Sequence, residues 1–428
     1  MKAVVLAAGE GTRLRPLTLT RPKHLISVGG KTVIDHVLET VKTAGITEVV
    51  VVVHYLAEQI EKHLGDGSRH GLNVKCVRQA EMKGTADAVK TAKSYVDEDF
   101  LLVYGDLLTT PNSLKTLIKT HFEKKPAVSM AVVQVNNPQH YGIVKLEDNL
   151  IVNIIEKPKP NEAPTNLANA GIYVFTPEIF ETINQTPLSP RGELEITDSF
   201  KLLIRENRRI LGVEISRKGW FDIGRPWDLL EANMWALSRI RPEVDGTIEG
   251  DAHLIGLVRV EEGTRIRSGA YIEGPVFIGK DSDIGPNCYI RPYTHIGKHV
   301  HVGNACEVKN SIVMDGTKIG HLSYVGDSVI GEDCNLGAGT LIANYRFDAK
   351  PVKMLVKEEI VDSGRIKLGV ILGDGVKTGI NATLMPGVKV GNNSWIGAGV
   401  VVNRDVPPNT HLILKQETRQ QEMEERKK

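Results

Sequence analysis

The segment LAAGEGTRLRPLTLTRPKHL, residues 6–25, gathers glycines and cations in a pattern that could hold phosphate. Gly9 and Gly11 permit a tight turn whose backbone N–H groups can face phosphate oxygens. Arg13 and Lys23 stand on the same segment, and Pro16 and Pro22 stiffen it. The G-x-x-x-x-G-K-[ST] loop is absent, as is the third glycine of a dinucleotide fingerprint. By itself the stretch reads equally as a glycine turn with solvated cations. Asp106 closes the run FLLVYGD. That position is the C-terminal edge of a sheet, where open α/β sheets bind ligands, although a lone Asp there can also be a cap. Far downstream, GHLSYVGD places His321 and Tyr324 three residues apart. Imidazole chemistry suits proton transfer near neutral pH, and an isolated histidine on a coil can also be a plain surface residue.

Two kinds of element must position these groups. Up to about residue 235, short Val-rich runs (KAVVLAA, EVVVVVHY, FLLVYGD, VSMAVVQV) read as buried strands of a mostly parallel sheet. Between them, stretches such as TVIDHVLETVKTAG carry apolar residues at helical spacing and end in glycine. Alternation of this kind predicts a Rossmann-like α/β domain over 1–235. Beyond it, Val260, Ile266, Ile272, Ile278, Ile284, Ile290, Ile296, Val302, Val308 and Met314 recur at a step of six. At 41% hydrophobic content a given frame would do this by chance about once in 7,000 tries. Neither helix nor hairpin has that period. A prism-shaped β-helix does, its aliphatics pointing inward and small residues turning the corners.

The β-helix is expected over 247–410. Five-residue steps are expected from Met314 to Ile319 and from Val325 to Ile330, and an excursion at 345–370. The tail 411–428 is highly charged and reads as a frayed, solvated helix. A net charge of +1 gives no reason to expect nucleic acid. No apolar run of about 20 residues offers a membrane span. Four scattered cysteines without CxxC spacing read as buried thiols in a reducing compartment, hence a cytoplasmic protein.

The front segment resembles the G-x-G-T-R…P-K signature of sugar-1-phosphate nucleotidylyltransferases. The resemblance implies that Arg13 neutralises the leaving pyrophosphate and that Lys23 grips the phosphate under attack. QAEMKGTADAV matches the base-reading stretch and implicates Gln79, Gly84 and Thr85, beside the Gly9/Gly11 turn. HYGIV, IIEKP and NAGIY match sugar-contacting segments, implying Gly142, Glu156, Lys157 and Asn169. GWFDIG supplies Asp222 as a second carboxylate, with Asp106, for Mg²⁺. The chemistry is consistent with these types. A sugar-1-phosphate is already an anionic nucleophile, so catalysis is positioning plus cations on attacking and leaving oxygens. The long RPLTLTRPKHL loop is closer to glucose-type pyrophosphorylases that take UTP or dTTP, and His24 stands where many relatives have proline.

The window GTKIGHLSYVGDSVIGEDCNLGAGTLIANY resembles the acetyltransferase centre of bifunctional amino-sugar-1-phosphate acetyltransferase/uridyltransferases of archaeal type, built on a left-handed hexapeptide β-helix. That resemblance makes His321 the base toward the sugar amine. It assigns the sugar phosphate to Arg291, Lys309 and Lys350, the sugar to Tyr324, Asn335 and Asn344, and the acetyl-CoA arm to Ala338 and Ala398. It also implies a homotrimer, because the groove for CoA lies between adjacent prisms. Two departures stand out: the insertion VKMLVKEEIVDSGRIK, and Ile380 where a small hydroxyl residue commonly faces CoA. The main expectation is an enzyme that acetylates an amino-sugar-1-phosphate and couples it to UTP or dTTP. The competing expectations are a single-function nucleotidylyltransferase with a structural β-helix, and a non-catalytic translation-factor subunit of the same folds.

Overall fold

The computed structural model describes residues 1–159 and 161–422. The chain forms two compact units, Met1–Ala236 and Leu237–Lys428.

In the first unit the Val-rich runs become strands of a nine-stranded sheet. Ala3–Ala7 lies between Glu48–Val53 and Phe100–Tyr104, parallel to both, and Asn73–Arg78 extends the parallel edge. Beyond Phe100–Tyr104 the sheet turns mixed. Leu167–Phe175 runs antiparallel to its neighbours, and Val128–Gln134 pairs parallel with Ile210–Glu214. Burial on both faces explains why the runs are unbroken rather than alternating. Two helices open on a threonine whose hydroxyl satisfies one of the first free N–H groups. Thr32 Oγ1 accepts from Asp35 N at 3.3 Å to open the helix Val33–Thr43, and Thr110 Oγ1 accepts from Ser113 N at 3.3 Å to open Pro111–Lys124. Each presents an apolar stripe, Val37, Leu38 and Val41 in the first and Leu114 and Leu117 in the second, to the sheet.

The second unit is a parallel coil of three sheets of eight, nine and eight short strands, visited in rotation. Successive rungs stack in register: Ile266 over Ile284, Ile284 over Val302, Val302 over Ile319. The ladder aliphatics point inward and are fully buried, each contributing on the order of 1.5–3 kcal/mol against exposure. One expected rung differs. Val313, not Met314, stacks between Ile296 and Ile330, so the first short step runs from Val308 to Val313. Both residues are apolar and buried; only strand hydrogen bonding decides which faces the axis. The excursion leaves after Ile342 and returns at Ile371. It contains an antiparallel hairpin, Lys353–Val356 with Glu359–Asp362, whose inner side buries Met354 and Val356. His411–Leu412 forms the last strand. Residues 413–422 contain no helix, contrary to the expected frayed one, and 423–428 lie outside the described residues. All four cysteines are free, and no helix among the described residues is long and apolar enough to cross a membrane.

Candidate active sites

Every first-unit residue singled out by sequence, from Gly9 to Asp222, lines one open cavity of about 560 Å³. Its floor is the loop that leaves strand Ala3–Ala7. Gly11 takes φ +70°, and its carbonyl accepts from Thr18 Oγ1 at 2.9 Å. The chain thereby folds back to bring Lys23 beneath it. The Lys23 ammonium pairs with Asp106. Burial pushes Asp106 up, but the Lys23 ammonium together with neighbouring His24 and the hydrogen bonds to the carboxylate outweighs it and holds it below the usual carboxylate range. Asp222 enters on a short strand paired with Leu107–Thr109, and Ile223 N donates to the Asp106 carbonyl at 3.1 Å. Burial, then the Asp106 charge, pushes Asp222 up to about 6. The Arg13 guanidinium passes close over the backbone of Gly224, on the Asp222 side of the cavity.

The opposite wall is built from the other motifs. Gln79 is buried, and its amide donates to Asp87 Oδ2 at 2.7 Å. Gly84 adopts φ +116° against the backbone of Leu194, where a Cβ would sit 2.5 Å from the Leu194 oxygen. Thr85 Oγ1 accepts from Ile196 N at 3.0 Å, tying the two loops together. Glu156 pairs across the sheet with Gly142, whose missing side chain makes room for the carboxylate. Burial raises the Glu156 pKa and lowers that of Lys157, which the nearby Arg191 lowers further. Asn169 sits at a bulge in its strand, its Oδ1 accepting from Gly171 N at 3.1 Å.

In the second unit, register arranges the back candidates in columns. Ile319, Leu336, Thr378 and Ile396 pair successively. The residues two places beyond each (His321, Ala338, Ile380 and Ala398) therefore form one column at a corner of the coil. His321 is exposed, and its carbonyl accepts from Gly339 N at 3.2 Å and Ser323 Oγ at 2.8 Å. On the adjoining face Tyr324 Oη accepts from Asn344 Nδ2 at 3.0 Å. The same amide reaches Asp327 Oδ2 at 2.6 Å, which Lys309 approaches at 3.3 Å. Arg291 lies one rung before Lys309 and bonds Glu307 at 2.7 Å.

Comparison with known proteins fits both halves. Residues 2–239 match the nucleotidyl transferase family, 272–379 the GMPPB C-terminal domain, and 369–404 the bacterial transferase hexapeptide. The "Bifunctional protein GlmU" of Methanocaldococcus jannaschii is 45% identical over 97% of this chain and 98% of its own length. A "Bifunctional sugar-1-phosphate nucleotidylyltransferase/acetyltransferase" of Sulfurisphaera tokodaii is 44% identical over 95% of this chain and 98% of its own. The chain belongs to this bifunctional transferase family. A crystal structure from Bacillus anthracis named as a glucose-1-phosphate thymidylyltransferase, 28% identical, aligns with TM-score 0.50 over 55% of this chain and 95% of that one.

For a member of this family, the geometry brings most of the expected groups together and leaves others apart. Asn335 lies on the face that carries Lys318 and Lys377, not on the face of Tyr324. Lys350 is exposed on the excursion, its backbone N donating to Asp348 at 3.3 Å. Among the cavity residues that the sequence reading did not name as site groups are Arg191 and His140, which carry or respond to charge there. Arg191 reaches Glu195 at 2.7 Å and Glu156 at 3.7 Å; its signal was a lone cation in the loop PRGELEIT, without period or motif of its own. His140 also lines the cavity, and burial followed by Arg225 and Arg13 lowers its pKa.

Proposed function

We propose that the chain transfers acetyl from acetyl-CoA to the amine of an amino-sugar-1-phosphate. It then couples the N-acetylated product to UTP or dTTP, releasing pyrophosphate. The observation that carries this reading is a constellation on each of the two units: the cationic cavity around Arg13, Lys23 and Lys157, and the His321 column with its neighbouring Tyr324, Asn344 and Lys309.

In the front cavity the sugar phosphate is the nucleophile and needs no base. Lys157 and Arg191, beside the sugar-side Glu156, suit its phosphate; Arg13 and Lys23 suit the triphosphate, where charge develops on the leaving pyrophosphate. Asp106 and Asp222 form an oxygen-donor pair that crowds negative charge in a buried place, an arrangement relieved by a hard divalent cation. Asp106 and Asp222 would hold Mg²⁺, which would supply positive charge against the negative charge of the phosphates. At the back site His321 accepts the proton of the amine as the nitrogen attacks the thioester carbonyl. The new C–N bond replaces the C–S bond, and the CoA thiolate leaves to take up a proton. Small residues at Ala338 and Ala398 leave room for the pantetheine arm on either side of Ile380, which stands exposed between them in the same column. Tyr271, Leu341 and Val401 expose apolar surface on one face of the coil, which supports assembly of coils side by side as a trimer.

The test is direct. The protein is incubated with acetyl-CoA, glucosamine- or galactosamine-1-phosphate, and UTP or dTTP, and the products are identified by mass. An acetylated nucleotide sugar is expected. A nucleotide sugar without acetyl transfer would reduce the function to nucleotidyl transfer alone. Light scattering of the active protein is expected to give a trimer or a multiple of it, and an acetylating monomer would remove the proposed inter-coil groove.

A further inference from the structure

One outward face of the coil is left without a task. On the early rungs of the nine-stranded sheet, cations meet carboxylates. Arg265 pairs with Glu249 at 2.5 Å, and Arg267 and His301 face Asp283 at 2.6 and 3.3 Å. From Lys318 onward the same column reads Lys318, Asn335, Lys377, Trp395, His411, without a carboxylate. Trp395 is 52% exposed, whereas Trp220 and Trp227 are buried. The Lys377 Nζ lies 5.4 Å from the Trp395 ring centroid, and the His411 ring meets its edge at 5.8 Å. A single exposed apolar side chain needs no explanation. An indole framed by a lysine and a histidine, on a face that has shed its carboxylates, has the chemistry to hold an aromatic anion.

The position says which anion. Trp395 shares a rung with Ala398, and from His321 to Ala398 the column spans three rungs, about 14 Å at the ~4.8 Å strand spacing. The thioester must reach the His321 rung. The extended pantetheine arm is of comparable length, so the purine and phosphates at its other end arrive beside Ala398. We infer that Trp395, with Lys377, seats the adenosine-phosphate end of acetyl-CoA, the ring stacking on the purine and the ammonium facing phosphate. This rests on the acetyltransferase reading above.

The experiment compares two thioesters. Trp395→Ala is expected to raise KM for acetyl-CoA roughly 5- to 100-fold, the usual worth of a base–aromatic stack. It should not change KM for S-acetylpantetheine, which lacks the nucleotide. Trp395→Tyr, which keeps a ring, should restore most of the affinity, and Lys377→Ala should weaken acetyl-CoA selectively as well. An unchanged KM for acetyl-CoA, or an equal rise for both thioesters, would overturn the assignment. If the wild-type protein acetylates with neither thioester, the acetyltransferase reading fails instead. Tryptophan quenching by adenosine 3′,5′-bisphosphate then decides the seat alone: loss of the quench in Trp395→Ala supports it, and no quench in wild type refutes it.

Discussion

Replacing His321 with alanine separates a proton-accepting role from a structural one because the side chain carries so little of the fold. Among the described residues its ring makes no hydrogen bond; what ties the position to the coil is its carbonyl, which alanine keeps. An exposed site of this kind should change stability by no more than about 0.5 kcal/mol, or about 1–2 °C in melting temperature for a unit of this size. A positioned acid–base group is worth about 10²- to 10⁴-fold in rate, equivalent to roughly 2.7–5.5 kcal/mol of barrier. The two scales do not overlap, so an activity loss cannot be mistaken for unfolding. Thiol release from acetyl-CoA in the presence of amino-sugar-1-phosphate measures one activity. Pyrophosphate release from the nucleotide with an already acetylated sugar phosphate measures the other. The expected result is a loss of at least a hundredfold in the first, none in the second, and partial recovery at high pH as the amine deprotonates unaided. Wild-type acetyl transfer at neutral pH would return His321 to the surface, and equal loss of both activities would refute the two-site division.

Three further outcomes follow from the geometry. Arg13→Ala, or removal of divalent cations with EDTA, should abolish pyrophosphate release and leave acetyl transfer intact; acetylation that also needs the metal would contradict the front-site assignment. Asp222 is held protonated up to about 6 when folded, against about 3.9 unfolded. Its folded form therefore binds the extra proton, and its contribution favours the fold below that window and is lost as pH rises through about 6. Without metal, Asp222→Asn should melt above wild type at pH 7.5, with the gap closing toward pH 5; a gap independent of pH would count against the buried carboxylate pair. At the back site, a Cβ at Gly326 would sit 2.5 Å from Tyr324 Oη and 2.6 Å from Asn344 Nδ2. Both are movable side-chain ends, so Gly326→Ala should keep the coil folded while raising KM for the amino sugar about tenfold, the scale of one disturbed hydrogen bond. Unaltered sugar kinetics would remove Tyr324 and Asn344 from the pocket.

Local chemistry was enough to reveal the two grammars of this chain. Unbroken Val-rich runs can only be buried on both faces, and a period of six with small corner residues suits only a three-sided coil, so both architectures were legible in one dimension. The GEGTR turn with Lys23 and the strand-end Asp106 were legible for the same reason, since each is a short-range pattern. Contacts between distant segments decided the rest. Nothing local distinguishes Val313 from Met314 as the inward residue; the hydrogen-bond register with Ile296 and Ile330 does. Arg191 carries no motif and joins the cavity only because its loop folds over Glu156. Asn335 lies close in sequence to Tyr324 and Asn344, yet the coil turns a corner between them. Trp395 becomes notable only when parallel stacking sets it under Lys377, on the rung that carries Ala398 of the His321 column. Periodicity depends on which side of a surface a residue must bury, which the chain encodes locally. Which distant residues share a rung depends on register, and only the folded backbone sets that.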